Sequence, residues 1–278
     1  MMVNYNGKLL NEEDLNISIQ NRGFKYGDSI FETIKIFKNK VVFWEDHYFR
    51  LMASMRMLRM KIPLKFTLEY LEQEILKTVK ENNNSDLSRV RLNVFRKDGG
   101  LYTPITNEID YTIQVNSINY ITKENYKIDV FKDFYNYSGL LSTVKTNNRM
   151  VNTLASIYAK ENDLDNCVLI NERKGVVEVS NGNIFVLKDN VVKTPSLNEG
   201  CIKGIVRKKV IEIISKNDNY ILEETTISPF EIQKADEVFI TNAIIGIQPV
   251  TNYKKKSFKT EFGNKIAKSL NVLEFTSN

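Results

Sequence analysis

Gly204 precedes a helix that begins Ile205-Val206-Arg207, so the free backbone N–H groups of that first turn, aided by the helix dipole, form a possible anion site. Alone the feature is weak, because many helices follow a glycine without binding anything. Lys145, Glu178 and Arg50 offer an amine, a carboxylate and a planar guanidinium, and each taken singly reads as a surface charge or an ion-pair partner. His47 is the single histidine, in WEDHYFRL (44–51), with no serine or cysteine motif beside it, which argues against Ser-His-Asp and Cys-His hydrolysis. Proton transfers therefore fall to lysine, carboxylate, hydroxyl or a cofactor. Cys167 and Cys201 form no CxxC pair, so neither a disulfide framework nor a zinc site is indicated, and no metal is expected.

Two stretches of regular structure must position these groups. Residues 33–37 and 41–43 read as strands joined by a turn at 38–40. Trp44, Tyr48, Leu51, Met55 and Leu58 recur at helical spacing, as do Leu68, Leu71, Ile75 and Val79. Val90, Leu92 and Val94, then Ile109, Tyr111, Ile113 and Val115, alternate with polar residues, as paired strands with one buried face do. A linker fits the polar stretch 116–126. Beyond it the apolar runs 167–170, 176–179, 184–187 and 238–240 read as strands of a β-rich second domain. Helices are expected from Arg149 to about Glu161 and from Ile205 to about Lys216, the latter with Val206, Val210, Ile213 and Ile214 as its apolar stripe.

The whole is an α+β chain of 278 residues, 42% hydrophobic, long enough for two small domains. Its net charge of +5 is scattered among acids, as on a solvated surface, and speaks against nucleic-acid binding. With no apolar signal core and no run of the roughly 18 apolar residues a membrane span needs, a cytoplasmic protein that does not engage membranes is expected.

Six segments occur in the order and approximate spacing of a known family: YGDSIFETIKIF (26–37), EDHYFRL (45–51), VKTNNRMVNTLAS (144–156), GVVEVSNGNIFVLKDNVVKTP (175–195), GIVR (204–207) and ADEVFITNAIIGIQPV (235–250). Over nearly its whole length the chain resembles the class IV aminotransferases. These are the fold-type IV enzymes of pyridoxal 5′-phosphate, and they include branched-chain aminotransferases, D-amino-acid aminotransferases and 4-amino-4-deoxychorismate lyases. The resemblance implies a small α/β domain over residues 1–117, a larger cofactor-binding domain over 118–278, and a homodimer acting on a small amino acid-like substrate. It implies Lys145 as the lysine bonded to the cofactor and Glu178 as the carboxylate facing the pyridine nitrogen. Arg50 and the N–H groups of Ile205 and Val206 become the phosphate cradle, where Val206 replaces a frequent threonine.

Three positions bear on the branch. Arg149, in K-x-x-N-R, stands where branched-chain enzymes place a tyrosine, and Asn242-Ala243 stands where aminotransferases offer a threonine hydroxyl. Both resemble the lyases, and Thr33 matches the lyases' proton-relaying threonine. Arg96 and the loop from Lys97 to Tyr102 resemble a loop overhanging the active site. With Lys35, they are candidates to meet a substrate carboxylate, beside the bland alternative of solvated charges. The resulting expectation is a 4-amino-4-deoxychorismate lyase of the folate pathway, releasing pyruvate and p-aminobenzoate. The alternative is an aminotransferase for branched-chain or D-amino acids that uses 2-oxoglutarate. Retention of both Lys145 and Glu178 argues against a catalytically silent binding protein.

Overall fold

The computed structural model describes residues 1–118 and 122–276; residues 119–121, inside the linker expected over 116–126, lie outside the described residues. Two compact units result, one of residues 1–118 with Lys145–Asn148 and one of residues 122–144 with Arg149–Thr276.

In the first unit a sheet is built from β1 (Met2–Tyr5), β2 (Lys8–Asn11), β3 (Ser29–Phe37), β4 (Lys40–Val41), β5 (Leu87–Arg96) and β6 (Ile109–Ser117). They lie in the order β2-β1-β6-β5-β3-β4, and every pairing is antiparallel. A short helix, α1 (Arg22–Tyr26), leads into β3, and α2 (Trp44–Met57) and α3 (Leu68–Glu81) pack on one face of the sheet. The turn after β3 uses only Lys38 and Asn39, both left-handed at φ 48° and 59°, so Lys40 already pairs with Phe37. The strand expected over 41–43 stops early because Phe43 also turns left-handed and caps α2.

Period-2 alternation divides the sheet residues cleanly. Ile34, Ile36, Val90, Leu92, Val94, Ile113 and Val115 are buried on the helix side with Leu51, Met55, Leu71, Ile75 and Val79. On the other side Phe31, Thr33 and Lys35 of β3 face, in register, Asn93, Arg91 and Arg89 of β5, which in turn face Thr112, Gln114 and Asn116 of β6.

The second unit holds two five-stranded sheets. One orders β12 (Ile221–Thr225), β11 (Val191–Pro195), β10 (Asn183–Lys188), β13 (Glu237–Asn242) and β14 (Gly246–Val250); the other orders β16 (Lys256–Ser257), β15 (Asn252–Tyr253), β7 (Lys127–Val130), β8 (Asn166–Ile170) and β9 (Val176–Val179). Val168, Ile170, Val176, Val179, Ile184, Val186, Val238 and Ile240 join one core. Because β8 and β9 are buried along their whole length, their sequences read as continuous apolar runs rather than alternation. Around the sheets run α4 (Met150–Glu161), α5 (Ile205–Ile214), α6 (Pro229–Lys234) and α7 (Glu261–Thr276). Val206, Val210 and Ile214 form the buried stripe of α5, whereas Ile213 is half-buried. Among the described residues no helix is long and apolar enough to cross a membrane.

Ile75 carries no exposed surface on α3. Ile75→Ala is expected to cost about 2–5 kcal/mol, read as a lower urea midpoint at unchanged slope. An unmoved midpoint would contradict the packing described for the helix face.

Candidate active site

The first unit holds its chemistry on β3. Residues 145–147 lie along the edge of β3 that β4 leaves open: the N–H of Phe31 donates to the Lys145 carbonyl at 3.0 Å, Ile30 and Thr146 form a bridge, and the N–H of Asn147 donates to the Ser29 carbonyl at 3.0 Å. Lys145 thereby takes a backbone position set by a strand, and its Nζ stands 4.5 Å from the centre of the Phe31 ring. The same ring carries the Arg91 guanidinium, with Cζ 3.8 Å from its centre. Arg91 Nη2 donates to Asn147 Oδ1 at 2.8 Å, and no described acidic side chain bonds it. Burial, and secondarily the charge of Arg89, lowers the guanidinium's pKa from its usual value.

Glu32 points to the opposite side of β3, under α2, and is 1% exposed. Arg50 grips it as a fork, through Nε at 2.8 Å to Oε1 and through Nη2 to Oε2, and His47 Nδ1 lies 2.7 Å from Oε2. Burial alone would raise the Glu32 pKa, but the Arg50 charge and the hydrogen bonds from His47 and Arg50 hold it at about 2. Burial lowers the pKa of His47, against the opposing pull of Glu32. An ionised carboxylate only accepts, so the neutral imidazole carries its proton on Nδ1. The fork fixes the plane of Arg50, the expected phosphate ligand.

Thr33 is half-buried directly opposite Arg91, and Lys35 opposite Arg89, on the face that carries Phe31. Arg96 is placed differently from the expectation of a substrate contact. It is buried, with Nε on Asp28 at 2.9 Å, Nη1 on Asn107 and Nη2 on the Leu58 carbonyl at 2.7 Å. Arg22 shares Asp28 at 2.9 Å and holds the carbonyls of Gly99 and Leu101 at 3.0 and 2.7 Å. Arg96 is thus part of the scaffold of the loop that follows it, while Tyr102 in that loop is 91% exposed.

The second unit positions the remaining candidates. Glu178 is buried in β9, and its Oε2 accepts the N–H of Ile202 at 3.0 Å. Asn183 Nδ2 holds the Ile202 carbonyl at 2.9 Å, and a Cβ on Gly204 would stand 2.0 Å from Asn183 Oδ1, so only glycine fits between this amide and α5. Gly204 caps α5 without a side chain, leaving the N–H groups of Ile205 and Val206 outside the intrahelical ladder. Asn242 shapes the turn after β13, its Oδ1 accepting from the N–H groups of Ile244 and Ile245 at 3.0 and 2.9 Å. Arg149 caps α4, and its Nη2 bonds the Val144 carbonyl at 2.8 Å.

Arg91 and Asn147 escaped the sequence reading. Their signal was the polar half of the alternation in β5, where Arg89, Arg91 and Asn93 pass for a solvated face until β3 and residues 145–147 are placed beside them.

The family model for amino-transferase class IV matches residues 29–253. A Methanocaldococcus jannaschii protein assigned as a branched-chain-amino-acid aminotransferase is 30% identical, over 97% of this chain and 94% of its own. The aminodeoxychorismate lyase of Vibrio harveyi is 24% identical, over 88% of this chain and 90% of its own. The branched-chain aminotransferase of Thermoproteus uzoniensis, solved with norvaline, shares the fold at a TM-score of 0.91 and 23% identity, covering 100% of this chain and 96% of that one.

Glu32 and His47 both have folded-state pKa values below their unfolded ones, so the unfolded chain binds more protons. The stability they contribute is complete above the ordinary histidine value of 6.5; it is drawn down first as pH falls below that value and again, for Glu32, between 4.5 and about 2. The melting temperature is expected to drop from pH 7.5 to pH 5, and to drop less in His47→Asn, whose carboxamide still donates to Glu32 but takes up no proton. Parallel slopes in the two proteins would show that His47 titrates as it does in the unfolded chain.

Proposed function

The chain belongs to the class IV aminotransferase family and is a pyridoxal phosphate-dependent enzyme, and from that premise we propose that it is a 4-amino-4-deoxychorismate lyase, eliminating pyruvate to leave p-aminobenzoate. The reading is carried by the polar face of the first unit's sheet. Arg91 lies without an acidic partner among the described residues, Arg89 and Lys35 are in neighbouring register, and a cavity of about 580 Å³ opens beside Arg91. A leucine or isoleucine side chain brought to such a face would desolvate the guanidinium and return no interaction. Aminodeoxychorismate carries carboxylates on both its ring and its enolpyruvyl group, and it answers those cations. Arg149 and Asn242-Ala243 lean the same way.

The donor set suits the cofactor: an amine on a strand edge, a buried carboxylate, a guanidinium held in one plane, and a helix start that tolerates no Cβ at position 204. Bound pyridoxal phosphate supplies an aldehyde that captures the substrate amine and a ring that accepts the electrons released at the amino-bearing carbon. Lys145 is assigned to bind it and to take the proton from that carbon. Glu178 keeps the pyridine nitrogen protonated. Arg50 and the N–H groups of Ile205 and Val206 take the phosphate. Thr33 hands a proton to the departing enolpyruvyl oxygen, and Arg91, with Lys35, orients the substrate's carboxylates. Tyr102 and the loop scaffolded by Arg96 cover the substrate. The enzyme is assigned to the cytoplasm as a homodimer, as the family resemblance implies.

Amino transfer is the second reading, favoured by 30% identity to the Methanocaldococcus jannaschii protein over nearly the whole chain. Purified protein given aminodeoxychorismate should release p-aminobenzoate. Given Leu or D-Ala with 2-oxoglutarate, it should turn over at least about tenfold more slowly. Thr33→Val should depress the elimination while the visible absorbance of the lysine-bound cofactor persists, and Lys145→Ala should abolish that absorbance. Rapid amino transfer without p-aminobenzoate would establish the second reading in place of the first, and a wild-type protein that stays colourless after reconstitution would remove the role of Lys145.

A further inference from the structure

The orientation of Arg91 rests on little. The Phe31 ring, its centre 3.8 Å from Arg91 Cζ, attracts the guanidinium but supplies no hydrogen bond that would direct its N–H groups. The one hydrogen bond it makes to a described residue is that from Nη2 to Asn147 Oδ1, at 2.8 Å. Asn147 is itself fixed at both ends: its backbone N–H pairs with Ser29, and its Nδ2 donates to Asn93 Oδ1 at 3.0 Å. Flipping the carboxamide would set its NH₂ against the guanidinium and its oxygen against the oxygen of Asn93, so one orientation alone satisfies both neighbours. Asn93 lies two residues from Arg91 on the same face of β5, which closes the network onto one strand.

The choice of an amide matters chemically. A carboxylate at position 147 would grip Arg91 at least as well and would also neutralise it. A carboxamide aims the guanidinium and leaves its charge uncompensated. The cavity beside it has Arg91, Asn93, Gln114 and Asn147 among its polar lining and Leu15 and Ile17 among its apolar lining, at a volume suited to a small organic ligand.

We propose that Asn147 is a positioning residue that aims the un-neutralised guanidinium of Arg91 into this cavity and makes it selective for a carboxylate over an uncharged group of the same shape. The inference rests on the reading that Arg91 meets a substrate carboxylate. Asn147 stands two residues after Lys145 in the same short segment paired to β3, so one tetrapeptide sets both the amine and the carboxylate-binding cation.

The test uses cofactor-loaded protein with benzoate as probe and benzamide as its uncharged control, and affinities are read by calorimetry. Wild type should prefer benzoate. Arg91→Ala should lose the preference, Asn147→Asp should lose it by at least about tenfold through internal pairing, and Asn147→Ala should weaken it about threefold to tenfold. In all three the visible absorbance and the cofactor content should match wild type, and the KM for aminodeoxychorismate should rise in the same order while kcat changes less. Should Asn147→Asp fail to fold, Asn147→Ala carries the test. If Arg91→Ala loses the preference and neither Asn147 variant does, the inference is overturned and the reading of Arg91 stands. If Arg91→Ala keeps the preference, both fall. If the Asn147 variants alter the cofactor absorbance as much as benzoate binding, Asn147 is a prop for Lys145 and the inference is likewise overturned.

Discussion

Three consecutive residues paired along one strand edge determine the geometry of the first unit. The bonds between residues 29–31 and 145–147 carry Lys145 to β3, whose alternation already sends Glu32 to one face and Phe31 to the other. A strand has only two faces and two edges; here β5 takes one edge and the other three sides hold these groups. One face anchors Arg50 through Glu32, the other stacks Arg91 on Phe31, and the edge delivers the amine. A slip of one residue in that pairing would turn Lys145 away from the Phe31 ring and Asn147 away from Arg91, while Glu32 and Arg50 kept their contact.

The two faces treat charge in opposite ways. On the helix side Glu32, Arg50 and His47 form a closed group in which the ionised carboxylate has a guanidinium fork and an imidazole N–H, so little field escapes. Breaking such a buried group is costly, which makes it a rigid mount. On the other side, among the described residues, Arg91 is hydrogen-bonded by an amide and covered by an aromatic ring, with no acidic partner. The same residue type is thus charge-compensated in one place and met by a neutral amide in the other, and the difference lies in the partner across the hydrogen bond.

Much of this was legible in the sequence where a local rule fixes the answer. The stripes Leu71, Ile75, Val79 and Val206, Val210, Ile214 do face cores, because helical periodicity and burial are the same statement. The alternation in β5 and β6 gave their buried faces equally well. What stayed illegible depended on pairing between distant segments. Nothing around Lys145 announces that residues 145–148 pack with the first unit while residues 144 and 149 belong to the second. The placement of Arg96 is illegible for a related reason. A charged residue before a glycine-containing loop looks presented to solvent, and only the convergence of Asp28, Asn107 and the Leu58 carbonyl shows that it is enclosed. The face bearing Arg91 reads as solvated until the Phe31 ring and residues 145–147 lie against it.

The contact between Asn183 and Gly204 has a consequence for how such a chain can change over generations. With the amide oxygen filling the space where any side chain at 204 would begin, the two positions behave as one unit of inheritance: a larger residue at 204 is admissible only after position 183 has shrunk or the loop holding Ile202 has shifted. Positions 205 and 206 are under no such joint restriction at their outward-facing backbone N–H groups, which every residue except proline provides. The side chains at 205 and 206 are instead limited by the core that buries them, so the start of α5 is held by backbone approach at 204 and by packing at the two positions after it.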